Sequence, residues 1–317
     1  ARRAYRVNRK HMRAEADQPQ AKTFAAGLEF LQTNADQDNW FLQIETFDPH
    51  EPYFVNEEYV QLYEEAYDGP LFDWPKYGQV EETEEQVRHV RAVHAALITM
   101  CDTYLGKVLD LMDANDLWKD TMLIVNTDHG FLFGEHGWWA KCHIPFWQEV
   151  AHTPLLVWDP RCPESAGRRR QSLVQTIDLP ATLLEYFGLD RPADMQGVPL
   201  RETIAHDKPV RQAGLYGIHG GHVNVTDGRY TYMRAPVRPD NTPLYEYTHM
   251  PTHMRGLFSV KEMREATMAE LFRFTKGCPV MKIPGRKPGR ARAHESGTLL
   301  YDLETDYAQE RPMDDAK

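Results

Sequence analysis

The stretch "LIVNTDHGFLFGEHGWWAKCHIPFWQEVAHTPLLVWDP", residues 123–160, begins and ends on short apolar runs, and each run leads into an Asp. Continuous runs of this length, within "TMLIVNTD" (121–128) and "TPLLVWDP" (153–160), predict strands buried on both faces of a mostly parallel sheet. Between them stand Asp128 and His129 side by side, then Lys141, with glycines at 130, 134 and 137 where the backbone must turn tightly. In open α/β sheets ligands bind beyond the carboxyl ends of strands, so a cluster of donors and ligands placed there points to chemistry.

Working outward, "KTFAAGLEFLQTN" (22–34) has helical spacing, and "WFLQIETF" (40–47) is a short apolar and β-branched run that predicts a buried strand. That strand runs into "DPHEPY", which brings His50 to a second strand end. Thr83-Glu84-Glu85-Gln86 forms a capping box. Behind it Val87, Val90, His94, Leu97, Cys101, Tyr104, Leu105, Val108 and Met112 make one apolar helix face that calls for a sheet to cover. "TIDLPATLLEYFGLD" predicts a further helix with Asp178 as N-cap, Pro180 in its first turn and Gly188 just past its end. Alternating strands and helices indicate a layered α/β/α domain over residues 1–206. From 207 to 317 the pattern changes to strand-like pieces, "AGLYGI", "HVNVTD", "RYTYMR" and "PLYEY", one helix near "KEMREATMAELFRFT" and a final "GTLLYDLETD". This second part is expected to be a smaller subdomain with an antiparallel sheet.

Composition sets outer bounds. The 317 residues, 42% hydrophobic and 26% charged, suit a folded globular protein. A formal charge of −11 argues against nucleic acid as a general partner, since that needs a basic face to displace counterions. The four cysteines form no CxxC pair, so neither a zinc ribbon nor a thioredoxin-type motif is indicated and reduced thiols are expected. No apolar run reaches the roughly 18 residues a membrane span needs.

Taken singly, each candidate has a bland reading. An Asp at a strand end is often a turn cap, and a lone His is more often a hydrogen-bonded core residue than a ligand. Together they carry more weight: Asp128 and His129 pair a hard carboxylate with an imidazole, suited to a divalent cation, while Lys141 and His50 can hold an anion. Trp138 and Trp139 are expected to pack over the site and His136 to fix its loop.

The residues at 123–160 resemble the sulfatase family of the alkaline-phosphatase-like superfamily. The resemblance rests on the D-H-G pair, the G-E-H-G-x-W-x-K loop and the "PFWQE" segment before "TPLLVWDP". "DPHEPY" is similar to the family's H-x-P element, and "GTLLYDLETDYAQE" to its closing L-Y-D-L-x-x-D-x-x-E. The resemblance implies an alkaline-phosphatase-like fold, incomplete at its N-terminus, and hydrolysis of a sulfate ester, whether of a small molecule or of a sulfated glycan. It implies Asp128 and His129 as metal ligands, and Lys141 and His50 as catalytic groups at the sulfuryl oxygens or the leaving group. It also implies one divalent cation, Ca²⁺ in the first place with Mg²⁺ or Mn²⁺ as alternatives, since oxygen-rich ligation favours hard cations.

His219 and His222, in "LYGIHGGHVNVTDGRY", are candidate substrate-binding residues, with a structural turn around Gly220 and Gly221 as the competing reading. Arg286, Lys287 and Arg290 could add positive charge near an anionic substrate.

Two departures from the family pattern stand out. Ala140 occupies the position before the lysine where the family often has Gly. The sequence also lacks the family's early Asp pair and its C/S-x-P/A-x-R element, whose Cys or Ser becomes the formylglycine nucleophile. The chain is therefore expected to be the carboxyl-terminal portion of a longer enzyme, with the formylglycine upstream, and to be inactive alone. Two alternatives to a sulfatase remain: a phosphonate monoester hydrolase or phosphodiesterase of the same superfamily, and a relative that binds ligands without turning them over.

Overall fold

The computed structural model describes residues 2–141, 145–253, 256–285 and 293–314. The chain divides into two compact units. One comprises Ala1–Asn126, Phe131–Ala140 and Leu155–Ala166; the other comprises Thr127–Gly130, Lys141–Pro154 and Gly167–Lys317.

The first unit is organised by the helix Glu84–Ala114, which begins where the capping box requires. Gln86 N–H donates to Thr83 Oγ1 at 3.3 Å and Thr83 N–H to Gln86 Oε1 at 3.0 Å. Val90, Leu97, Met100, Tyr104, Val108 and Met112 line its buried face. The expected cover for this face was a sheet; a large part of it is instead the helix Pro19–Thr33, whose Phe24 ring lies 5.3 Å from that of Tyr104. A stripe of apolar residues reports that something covers it, and a helix serves as well as a sheet.

The strands Leu123–Asn126 and Leu155–Trp158 form as expected. They pair antiparallel, Leu123 opposite Trp158 and Asn126 opposite Leu155, so the parallel partnership expected of them is not seen. An apolar run signals burial and carries no information on strand direction. Their burial is also less than expected, with Leu156 61% exposed in a two-stranded sheet. Residues 40–47 enter no ladder among the described residues, which corrects the expected buried strand. Leu42 and Ile44 pack on the core while the alternate residues Phe41 and Phe47 are exposed, so the period-2 pattern survives without the pairing.

Two buried titratable groups of this unit act in opposite senses. The His94 ring lies 5.5 Å from Tyr53 and 4.2 Å from Phe133, and burial lowers its pKa from 6.5 to about 4. Between those values the unfolded chain binds a proton that the folded one refuses, so stability falls as pH drops from 6.5 to 4. Burial raises the Asp48 carboxyl from 3.8 to about 6, so its contribution is present below pH 4 and lost as pH rises through 6. Each effect amounts to about 3 kcal/mol at full extent, so they nearly cancel from pH 4 to 6. His94→Leu is expected to leave Asp48 alone, with stability then declining as pH rises across that window. Urea midpoints at pH 4, 5 and 6 that show the wild-type slope in the variant would remove this account.

In the second unit the helix Asp178–Tyr186 is followed by Gly188 at φ 67, as expected of a helix C-terminus. Asp178 is not its N-cap, a position held by Ile177. Fully buried, Asp178 accepts hydrogen bonds from Gln175 N–H and Val198 N–H and pairs with Arg211. The four expected strands and the closing one all form. Leu299–Asp302, Tyr230–Arg234, Val223–Thr226 and Gly214–Gly217 make an antiparallel sheet in that order. Tyr245–Thr248 joins a second sheet with Met281–Pro284 and Thr267–Met268.

The helix expected over "KEMREATMAELFRFT" is only Val260–Glu265. Ala266 turns to extended geometry and Thr267–Met268 pairs with Met281–Pro284, a tertiary ladder that overrides local helix propensity. No described helix is long and apolar enough to cross a membrane. No disulfide joins the described cysteines; Cys142 lies outside the described residues, as do Arg286, Lys287 and Arg290.

Candidate functional site

The stretch 127–130 leaves the strand Leu123–Asn126 and is held against 147–151 of its own unit. Gly130 N–H donates to Val150 O at 2.9 Å, and a Cβ on Gly130 would stand 1.8 Å from Glu149 O. Only glycine fits that approach. The bond fixes the backbone immediately after Asp128 and His129.

Within this frame Asp128 Oδ1 accepts the backbone N–H of His129 at 2.9 Å, and the other oxygen, Oδ2, lies 3.2 Å from His129 Nε2. His129 Nδ1 is 3.0 Å from Gly130 O, so both ring nitrogens lie beside oxygens that can only accept. With the proton on Nδ1, the ring N–H is tied to a backbone carbonyl in the way metal-ligating histidines are usually oriented, and Nε2 is the nitrogen that would ligate. The side chains are accessible, Asp128 81% and His129 34% exposed. The pair therefore fits a divalent cation as two of its ligands. Among the described residues no group of three or more His, Cys, Asp or Glu is gathered for a metal.

Lys141 follows the buried strand Trp138–Ala140 and is half-buried at the start of 141–154 in the second unit. Ala140 has φ 84, in the left-handed region that glycine adopts readily and other residues rarely. His50 belongs to the first unit, with Nδ1 2.5 Å from Glu51 O and its ring 4.3 Å from that of Phe47.

The two further histidines do not behave alike. His219 is exposed in the turn Ile218–Gly221, with Nε2 3.0 Å from Tyr245 O and Gly220 at φ 79. His222 is 2% exposed, and its Nε2 donates to Gly297 O at 2.8 Å; burial lowers its pKa. His222 is thus an enclosed, hydrogen-bonded ring where His219 is an exposed one.

Trp139 is fully buried in the first unit and donates through Nε1 to Glu82 Oε2 at 2.7 Å. His136, at φ 55, lies in the turn between the hairpin strands Leu132–Phe133 and Trp138–Ala140. Two residues holding that hairpin were not singled out from sequence. Glu135 accepts from Phe133 N–H at 2.5 Å and from Arg91 at 2.8 Å, and Arg91 Nε donates to Phe133 O at 2.9 Å. The signal was available, as the only acid of the G-E-H-G loop.

Comparison with known proteins supplies what geometry alone does not. The family model described as Sulfatase matches residues 4–189, and that described as N-sulphoglucosamine sulphohydrolase, C-terminal, matches residues 134–274. The chain is 32% identical over 126 residues to the multifunctional alkaline phosphatase superfamily protein PehA of Trinickia caryophylli, covering 40% of this chain and 24% of that protein. It is 23% identical over 283 residues to the choline-sulfatase of Rhizobium meliloti (strain 1021), covering 77% of this chain and 54% of that protein. The chain thus spans about half or less of the curated relatives it matches. Among solved structures, the phosphonate monoester hydrolase of Agrobacterium radiobacter aligns with TM-score 0.61 at 20% identity, over 94% of this chain and 57% of that one. That likeness shows the fold, which is alkaline-phosphatase-like.

Proposed function

Since the chain belongs to the sulfatase family, we propose that it supplies the metal and anion-holding part of a site that hydrolyses an organic sulfate ester. Asp128 and His129 would hold the cation, Ca²⁺ first among hard divalent ions, and that cation when bound would offset the charge of the sulfuryl oxygens. The carrying observation is the accessible Oδ2 and Nε2 pair 3.2 Å apart, with Nδ1 tied to Gly130 O.

The chain's own part is binding and charge placement. The Lys141 ammonium would hold a sulfuryl oxygen, and the His50 imidazole would donate to the sulfuryl group or the departing oxygen. Fixed donors aimed at developing negative charge are usually the largest contribution to such a reaction. The attacking formylglycine would come from sequence preceding this chain. On this proposal the 317-residue chain does not turn over an aryl sulfate by itself.

The test is calorimetric titration of Ca²⁺ into the purified chain and into Asp128→Asn and His129→Gln. The wild-type chain is expected to bind weakly, with two protein ligands, and each variant about tenfold more weakly still, near 1.4 kcal/mol. Equal affinity in all three proteins sinks the metal assignment. The family's neighbours include a phosphonate hydrolase fold, so sulfate and phosphonate esters should be assayed in parallel on the enzyme that carries the nucleophile. Faster turnover of the phosphonate would move the assignment to that ester.

A further inference from the structure

The short helix Gln148–Ala151 carries the carbonyl that holds the candidate ligand pair, since Val150 O accepts Gly130 N–H at 2.9 Å directly after Asp128 and His129. The start of that helix is not held locally. The first N–H groups of a helix have no partner within it, and a tryptophan at the N-cap, here Trp147, has no side-chain acceptor to offer. The acceptor comes from 161 positions further along the chain: Gln148 N–H donates to Gln309 Oε1 at 2.7 Å.

Gln309 is 1% exposed, and its Nε2 has no hydrogen-bond partner among the described residues. An unpaired amide donor in a buried place costs stability, so this glutamine is kept for what its oxygen does. The backbone beneath it supports that use. Gln309 lies at φ 53, a conformation uncommon outside glycine, with its N–H on Asp306 O at 3.0 Å. Asp306 in turn accepts Glu310 N–H at 3.1 Å on one carboxylate oxygen and Arg311 N–H at 2.8 Å on the other. From the same turn, Tyr307 Oη lies 3.0 Å from His152 Nδ1, just past the other end of the helix. Turn, helix and ligand pair all belong to the second unit.

We propose that Gln309 is a positioning residue for Asp128 and His129, acting through the helix Gln148–Ala151. By capping Gln148 it fixes Val150 O, and Val150 O fixes Gly130 and with it the two side chains that precede Gly130. Groups that orient metal ligands from outside the ligand set govern affinity without touching the ion. The consequence for a cation rests on the metal reading proposed above; the link from Gln309 to Gly130 does not.

The test is amide hydrogen exchange of the metal-free 317-residue chain, followed by Ca²⁺ titration, in wild type, Gln309→Leu and Gln309→Glu. Gln309→Leu keeps the bulk and removes the acceptor. Its Gly130 N–H is expected to exchange about tenfold faster than in wild type, with the amides paired between Leu299–Asp302 and Tyr230–Arg234 unchanged. Gln309→Glu keeps an acceptor oxygen at the same reach, and its Gly130 exchange is expected within about threefold of wild type. Ca²⁺ is expected to bind Gln309→Leu about fivefold more weakly than wild type, with most of the loss restored in Gln309→Glu. Gln309→Asn, one methylene short of Gln148, carries the test should the Leu variant not fold. Gly130 exchange within about twofold of wild type, or an equal acceleration of the sheet amides, overturns the proposal. So does a Glu variant no better protected than the Leu one, or a wild-type Ca²⁺ affinity that the Leu variant retains. Absence of Ca²⁺ binding in wild type overturns the metal reading alone, because the exchange comparison is made without the ion.

Discussion

Gly130→Ala is expected to destabilise the second unit by about 3 kcal/mol or more, because the added methyl has no room that side-chain rotation could open. Its Cβ would lie 1.8 Å from Glu149 O, 2.9 Å from Glu149 C and 3.3 Å from Val150 Cα, all backbone atoms. The chain can relieve that overlap only by parting 127–130 from 147–151. Parting them breaks the Gly130 N–H to Val150 O bond and moves Gly130 O away from His129 Nδ1. The variant is thus expected to lose metal affinity together with stability, although neither proposed ligand is altered. Urea unfolding and Ca²⁺ titration on the same sample check both parts. A variant within about 0.5 kcal/mol of wild type shows that the loop tolerates the shift and that the close approach is not structural.

Asp178→Ala is expected to cost roughly 3–5 kcal/mol, the range for removing one partner of a buried ion pair. Asp178 is fully buried, and Arg211, 14% exposed, pairs with Asp178 Oδ1 and donates to Gln175 Oε1 at 2.8 Å. The carboxylate also takes Gln175 N–H and Val198 N–H, each at 2.9 Å, so it ties the segment before the helix Asp178–Tyr186 to the segment after it. Alanine leaves two backbone donors and a guanidinium without their acceptor in a dry site. The double variant Asp178→Ala/Arg211→Ala should lose less than the sum of the single losses, because removing the second charge relieves the first vacancy. Additive losses in that cycle would show that the pair does not act as a unit.

Both predictions concern residues whose types were conspicuous in the sequence and whose reasons were not. Gly130 was expected to turn the chain, but no local pattern gives the distance to Glu149 O, a carbonyl 19 positions away. Asp178 sits where an N-cap belongs and was taken for one; its burial depends on Arg211, 33 residues on. Glu51 is 2% exposed, which no local pattern records, because burial of an acid is set by what packs on it. Capping, by contrast, was legible, since Thr83 and Gln86 complete each other within one turn. The antiparallel sheet of 214–302 was legible strand by strand, because alternation and turn residues are local too.

The sequence by itself determined the family, the strand ends on which the candidate ligands stand, the long capped helix and the strands of the second unit. Each of these is written in spacings of a few residues, over which backbone geometry repeats. The tertiary structure decided the rest: the antiparallel pairing of Leu123–Asn126 with Leu155–Trp158, the unpaired course of 40–47, and the burial of His222. Strand direction and burial depend on partners far away in sequence or on how a loop closes upon itself, and no local periodicity records them.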